Sequence, residues 1–290
     1  MRLEKKSPCK VNLLLNILSR RADGFHELET VLHPVNVCDR LTFTRGGTGF
    51  ELSCSDANLP VDAQNLVHRA AAVFLQAAKI SDGVKIHVEK KIPLAAGLGG
   101  GSGNAAVTLL ALNELFGQPL VPAKLNELAV LLGSDVPFFL QNQPALAGGR
   151  GEQIQPLAPF PALRDKAFLL IHPGFGVSTA WAYQALSRFP AAVNGRPGRA
   201  RELISKLQTN QWPADVDGFF NSLEAPVLEK YPLLALFQEF LRTNGALAAL
   251  MSGSGSTTFA VVENVSAAGA LVEKFNAKFG QSCWIAVVAV

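Results

Sequence analysis

Polar and apolar positions partly alternate in "CKVNLLLNIL" (residues 9–18), the period of a half-buried strand. "DRLTFTR" (39–45) and "GFELSCS" (49–55) read as a further pair of strands around Gly46, Gly47 and Gly49. The period then changes. Across residues 65–79 Leu66, Ala70, Val73, Phe74 and Ala77 share one helical face, and Asn65 stands where a cap is needed. "VKIHVEKKI" (84–92) returns to strand and stops at Pro93, before a glycine-dense turn. A helix is predicted from about Gly103 to Phe116, ended by Gly117, and another near Ala123 to Leu132, ended by Gly133. "SDVPFFL" (134–140) follows as a tight connection into an apolar, buried segment. Glycine and proline gather in "GGRGEQIQPLAPFPALRD" (148–165), so the domain boundary is placed near residue 158, giving domains 1–158 and 159–290. Beyond it "KAFLLIHP", "TTFAVVE" and "CWIAVVAV" are strand-length apolar runs, and "SAAGALVEKFNAKF" is a helix. The class is α+β. "AAVNGRPGRAR" (191–201) reads as an exposed, mobile loop.

Composition narrows the function. The 290 residues are 49% apolar, enough for a substantial core, and the formal charge is only +3. No block of five or more Lys and Arg marks a nucleic-acid stripe, which leaves acidic small molecules as partners. Cys9, Cys38, Cys54 and Cys283 lie far apart with no C-x-x-C pair, so neither disulfides nor zinc is expected. Lys5 and Lys6 before Val11–Leu18 imitate a secretory leader, but Lys10, Asn12 and Asn16 interrupt it and no cleavage-like site follows. With no apolar run of 18 residues, the reading is a soluble cytoplasmic protein without a membrane partner.

The chemistry gathers in "PLAAGLGGGSGNAA" (93–106), where five glycines fall within residues 97–103 directly before a helix. Glycines let several backbone N–H groups approach one anion, and the helix start adds its positive dipole end. Triphosphate suits such a loop. No Lys follows the last glycine, which excludes a Walker A loop. Gly101-x-Gly103-x-x-Ala106 formally fits a dinucleotide fingerprint, yet it is preceded by alanines rather than a strand. Asp135, between Gly133 and the apolar run Val136–Leu140, is a candidate general base; taken alone, a turn residue would look the same.

The loop resembles that of the GHMP kinases, and "SPCKVNLLLNI" and "LMSGSGSTTFAV" resemble the family's opening and second glycine-rich motifs in the family's order. The resemblance implies a two-domain architecture: an N-terminal domain like the second domain of ribosomal protein S5, a ferredoxin-like C-terminal domain, and a substrate cleft between them. It implies that ATP is held by Pro93, Leu94, Ala95, Ala96, Gly97, Leu98, Gly99, Gly100, Gly101, Ser102, Gly103 and Asn104, with Asn65 as an adenine or ribose contact or simply a helix cap. Mg²⁺ accompanies ATP with Ser102 as its candidate ligand, and no tightly bound cofactor is expected. Asp135 becomes the catalytic base and Lys10 the cation paired with it. "RADGFHELETVL" (21–32) and "LGSDVPFFL" are similar to one branch of the family, whose substrate is a methylerythritol carrying a cytidyl diphosphate, phosphorylated at its 2-hydroxyl. In that branch Asn12, Phe25, His26, Thr179 and Tyr183 would bind substrate, with Phe25 standing where a Tyr is usual. A homoserine- or mevalonate-type kinase and a catalytically silent nucleotide-binding regulator are the competing readings. A monomer or weak homodimer is expected.

Overall fold

The computed structural model describes residues 1–213 and 218–290. They form two compact units, each assembled from separate stretches of chain. Unit 1 comprises Met1–Cys9, Asn36–Ile92 and Gly99–Asn142; unit 2 comprises Lys10–Val35, Pro93–Leu98 and Gln143–Val290. Strands β1 (Arg2–Arg20) and β2 (His26–Thr48) contribute residues to both.

In unit 1 the later part of β2 pairs antiparallel with β4, and β3 (Phe50–Cys54) runs parallel to β4. The strands predicted at 39–45 and 49–55 are therefore both present but do not pair with each other, because β4 (Asp82–Glu89) lies between them. The glycines loosen β2 as read, with a register shift between Arg45 and Thr48. Helices α1 (Leu66–Ala78), α2 (Gly100–Leu115) and α3 (Pro122–Leu132) pack on one another, and α1 also touches β3. Their apolar faces bury Phe74, Leu109, Leu112 and Leu128. Helix α2 starts three residues earlier than predicted, so Gly100 and Gly101 belong to the helix rather than to the turn. Strand β4 stops at Glu89, where Lys90 N–H goes to Ser55 Oγ and the two following backbone donors turn inward to fully buried Asp39. Lys91 N–H and Ile92 N–H reach its Oδ1 at 2.7 and 2.9 Å, and the Lys90 ammonium pairs with Oδ2.

In unit 2 the later part of β1 and the earlier part of β2 form a hairpin closed by Arg21 N–H to the Phe25 carbonyl at 2.8 Å. Strand β5 (Ala145–Gly148) extends β2 and β6 (Gln153–Pro156) extends β5, both antiparallel. The chain continues through β7 (Ala167–His172), α4 (Thr179–Ala185), α5 (Pro190–Val193), α6 (Arg199–Gln208) and β8 (Phe220–Asn221), which pairs parallel with β1. Then come α7 (Glu224–Lys230), α8 (Pro232–Thr243), β9 (Ala248–Met251), β10 (Thr258–Val262), α9 (Val265–Phe279) and β11 (Trp284–Ala289). The second sheet has the order β11-β7-β10-β9, antiparallel throughout, with α8 and α9 packed on it through Phe237, Leu241, Leu271 and Phe275. This is the ferredoxin-like arrangement expected of the second half.

The segment 191–201 departs from its reading as a mobile loop. Asn16 Nδ2 donates to the Arg196 carbonyl at 2.8 Å, and the Glu29 carboxylate accepts from Gly198 N–H at 3.1 Å and Ala200 N–H at 3.0 Å. Glu29 thus serves the open start of α6, where a negative charge is favoured. The partners lie 169 to 180 residues away, beyond the reach of local pattern. Among the described residues no helix is long and apolar enough to cross a membrane.

Candidate active site

The first glycine loop falls into two parts, one in each unit. In unit 2 Gly97 has φ +76°, and a Cβ there would lie 2.0 Å from the Ser252 carbonyl oxygen and 2.9 Å from Gly255 N. Both are backbone atoms, so only glycine allows this approach. The second glycine motif, Ser252–Thr257, is therefore where two backbones meet: Ser252 Oγ donates to the Gly97 carbonyl at 3.0 Å and Thr257 N–H to the Ala96 carbonyl at 3.1 Å. Gly176 leaves room for Ala95 in the same way, since a Cβ would lie 2.7 Å from the Ala95 Cβ.

Lys10 sits against this crossing. Its side chain is almost fully buried, and the ammonium donates to Asn12 Oδ1 at 2.6 Å and to the Gly97 carbonyl at 2.9 Å. Its own N–H reaches the Leu98 carbonyl at 2.9 Å. Asn12 is turned the right way by Thr30: Asn12 Nδ2 donates to Thr30 Oγ1 at 2.9 Å, and that hydroxyl donates to the Leu14 carbonyl at 2.6 Å. The amide oxygen is thereby left for the cation. Asn12, named from sequence as a substrate contact, lies buried between Lys10 and Thr30. Thr30 carries no signal in the sequence, since one Thr on an alternating strand is unremarked.

In unit 1 Gly99 is the residue before α2, with φ +70°, and as a glycine it has no side chain to cap the helix start. Gly101 is exposed, and a Cβ on it would touch only Leu66 Cδ1 at 3.6 Å. Gly103 packs tightly, a Cβ there falling 2.8 Å from the Pro8 carbonyl and 3.0 Å from Ser7 Oγ. The glycines thus divide by role: 97 and 103 admit neighbouring backbone, whereas 101 leaves an uncapped, open helix start. Backbone N–H groups in that state fit a phosphate. Ser102 is half-buried in the first turn, and Asn104 is buried, its Oδ1 without a hydrogen-bond partner among the described residues. Among the described residues no three His, Cys, Asp or Glu side chains cluster as a metal cage. Ser102, the candidate Mg²⁺ ligand of the sequence, lies in the first turn of α2. Asn65 caps α1, its Oδ1 accepting from Val67 N–H at 2.8 Å and its Nδ2 donating to the Pro60 carbonyl at 2.7 Å. Asp135 is half-buried in the turn where Val136 N–H returns to the Gly133 carbonyl at 3.1 Å, just before the short helical turn Pro137–Leu140.

The remaining predicted residues assemble in unit 2. Phe25 is 51% exposed, next to Gly24 at φ +86°, and its N–H is held by Asp23 Oδ1 at 3.1 Å. The Arg150 guanidinium lies 4.6 Å from the centre of the Phe25 ring, a cation–π contact that the sequence did not suggest. His26 and Tyr183 have ring centres 5.2 Å apart, and Thr179 Oγ1 hydrogen-bonds Ser254 Oγ at 2.8 Å. Burial, and then the nearby Arg20 charge, push the His26 imidazole below its usual pKa. It is therefore neutral near pH 7, with one nitrogen to donate and one to accept.

The GHMP kinases N-terminal domain model matches residues 65–143, and the GHMP kinases C-terminal model matches residues 189–281. The chain belongs to the GHMP kinase family and is an ATP-dependent kinase. The 4-diphosphocytidyl-2-C-methyl-D-erythritol kinase of Pelotomaculum thermopropionicum is 40% identical over 268 residues, covering 92% of this chain and 91% of the relative. The kinase of the same name from Syntrophotalea carbinolica is 37% identical, covering 94% of each. A crystal structure of 4-(cytidine 5'-diphospho)-2C-methyl-D-erythritol kinase matches with a TM-score of 0.79 at 34% identity, over 99% of this chain and 100% of that one. Homoserine kinase from Cytophaga hutchinsonii reaches the same TM-score of 0.79 at 22% identity, over 100% and 95%, and shares the fold.

Proposed function

We propose that this chain transfers the γ-phosphoryl group of ATP to the 2-hydroxyl of 4-diphosphocytidyl-2-C-methyl-D-erythritol, as a cytoplasmic enzyme of isoprenoid precursor synthesis. The observation that carries it is the 40% identity over 92% of the chain to a kinase of that name. The gathering of His26 with Tyr183, and of Phe25 with Arg150, supports it: flat rings and a neutral imidazole suit a nucleobase.

Phosphoryl transfer asks the protein for in-line placement and for compensation of charge on the moving group. The open start of α2, from Gly99 to Ser102, takes the phosphates on backbone N–H groups and the helix dipole. Asp135 accepts the proton of the attacking hydroxyl. Lys10, held by Asn12 and the Gly97 carbonyl, presents its positive charge to that hydroxyl and its phosphorylated product. Mg²⁺ arriving with ATP would supply further charge neutralisation, and Ser102 is the residue that would hold it. Phe25, His26, Thr179 and Tyr183 take the cytidyl end.

Incubating the protein and Mg·ATP with homoserine, mevalonate and the diphosphocytidyl alcohol tests the reading. ADP release is expected with the last alone. Faster turnover of either of the others, or none with any, would refute it.

A further inference from the structure

A catalytic cation is only as well aimed as the groups that fix its donors. Within unit 2 the Gly97 carbonyl receives two hydrogen bonds, from the Lys10 ammonium at 2.9 Å and from Ser252 Oγ at 3.0 Å. A Cβ on Gly253 would lie 3.1 Å from Lys10 Nζ and 3.4 Å from Asn12 Oδ1, so the Ser252–Gly253 turn forms one wall around the cation. The position of that turn therefore sets the position of the charge.

Asn221 holds the turn. It is buried in β8, its Nδ2 donates to the Met251 carbonyl at 2.8 Å and to the Gly253 carbonyl at 2.7 Å, and its Oδ1 accepts from Leu223 N–H at 2.9 Å. Both donors and the acceptor oxygen of the amide are thus engaged, and a flipped amide would set its oxygen against two carbonyls. Glu224 secures the same residue from its other backbone group, its Oε1 accepting from Met251 N–H at 2.7 Å. Strand β8 in turn is registered on the strand that carries Lys10: Leu15 stands opposite Asn221, Ser222 N–H reaches the Leu15 carbonyl at 2.8 Å, and Ile17 N–H reaches Ser222 Oγ at 3.0 Å. The contacts close a ring: Lys10, Gly97, Ser252–Gly253, Asn221, Leu15, and back along β1 to Lys10.

We propose that Asn221 is a positioning residue for Lys10, fixing through the Met251–Gly253 turn the point from which the ammonium acts. The proposal rests on the reading of Lys10 as the catalytic cation. Asn221 touches neither reactant in that reading, so its loss misplaces a charge needed in the transition state more than it weakens binding.

Asn221→Asp keeps the volume and the acceptor for Leu223 but removes both donations. The expected result is a fall in kcat of about tenfold or more, with KM for ATP and for the cytidyl substrate changed by less than about twofold. Because a smaller folded fraction would also lower apparent kcat at constant KM, kcat is counted per ATP-binding site titrated in the same preparation. The same substitution in a Lys10→Ala background should change the residual single-turnover rate by less than about twofold, because the group that Asn221 aims is already gone. Equal losses in the two backgrounds, or a raised KM with kcat intact, overturn the proposal. Should Asn221→Asp fail to fold, Asn221→Ala removes the donors without setting a carboxylate against two carbonyl oxygens, and carries the same comparison. If Lys10→Ala alone turns over at the wild-type rate, the role of Lys10 fails first, visibly, before Asn221 is altered.

Discussion

Replacing Gly101 by Ala separates the phosphate-cradle reading from a merely structural turn, because the two predict opposite balances. Gly101 is the second residue of α2, its φ is not positive, and the added methyl meets only Leu66 Cδ1 at 3.6 Å, an ordinary contact. Alanine in a helix is favoured over glycine, so the unliganded protein should gain about 0.5 kcal/mol, a rise in Tm of about 1–2 °C. ATP should pay the opposite way. A methyl beside an N–H that must meet a phosphate oxygen weakens a hydrogen bond to a charged group, worth about 1.5–3 kcal/mol, and Kd should rise about tenfold or more. Calorimetric titration with ATP, beside a thermal melt without it, reads both effects. Gly97→Ala is the contrast: its Cβ would sit 2.0 Å from the Ser252 carbonyl oxygen, so stability and binding should fall together. Gly99 is a poorer probe, since at φ +70° any side chain strains the backbone itself. An unchanged Kd for the stable Gly101→Ala protein would refute the cradle.

Asp135→Asn should lower kcat by about a hundredfold or more while ATP still binds, and Lys10→Ala should behave similarly; near-wild-type turnover by a folded Asp135→Asn protein removes the general base. His26→Ala and Phe25→Ala should raise KM for the cytidyl substrate far more than for ATP, and Phe25→Tyr should be mild; equal effects on both KM values, or efficient use of a uridyl analogue by the wild type, would show that this pair does not read cytosine. His33 offers a check on stability: buried against Phe160 and Phe168, it titrates at about 4 rather than 6.5. Between those values the unfolded chain binds a proton that the native state excludes, so stability is full above pH 6.5 and falls on acidification. The loss should be about 2 kcal/mol by pH 5, read from urea melts. His33→Phe should flatten that limb, and an equal acid loss in the variant would assign it to other groups.

Local pattern already determined much of this protein. The helical period after Asn65, the strand ending before Pro93 and the glycines before an apolar helix each follow from neighbours in sequence, and each is present in the fold. Glycine density also marked the loop proposed to hold phosphate, because a backbone that closely approaches an anion leaves little room for side chains. What glycine density did not distinguish is which glycines face open space and which admit another backbone. That depends on Ser252 reaching Gly97, 155 residues away. The same limit hid Thr30 and Asn221, single polar residues whose importance comes only from the carbonyl or amide that folding sets opposite them. It also made residues 191–201 look mobile, although Asn16 and Glu29 hold them from the far end of the chain. Short-range periodicity reports what a residue does to its own element. Buried hydrogen bonds between distant segments exist only once the tertiary structure has removed water from both partners.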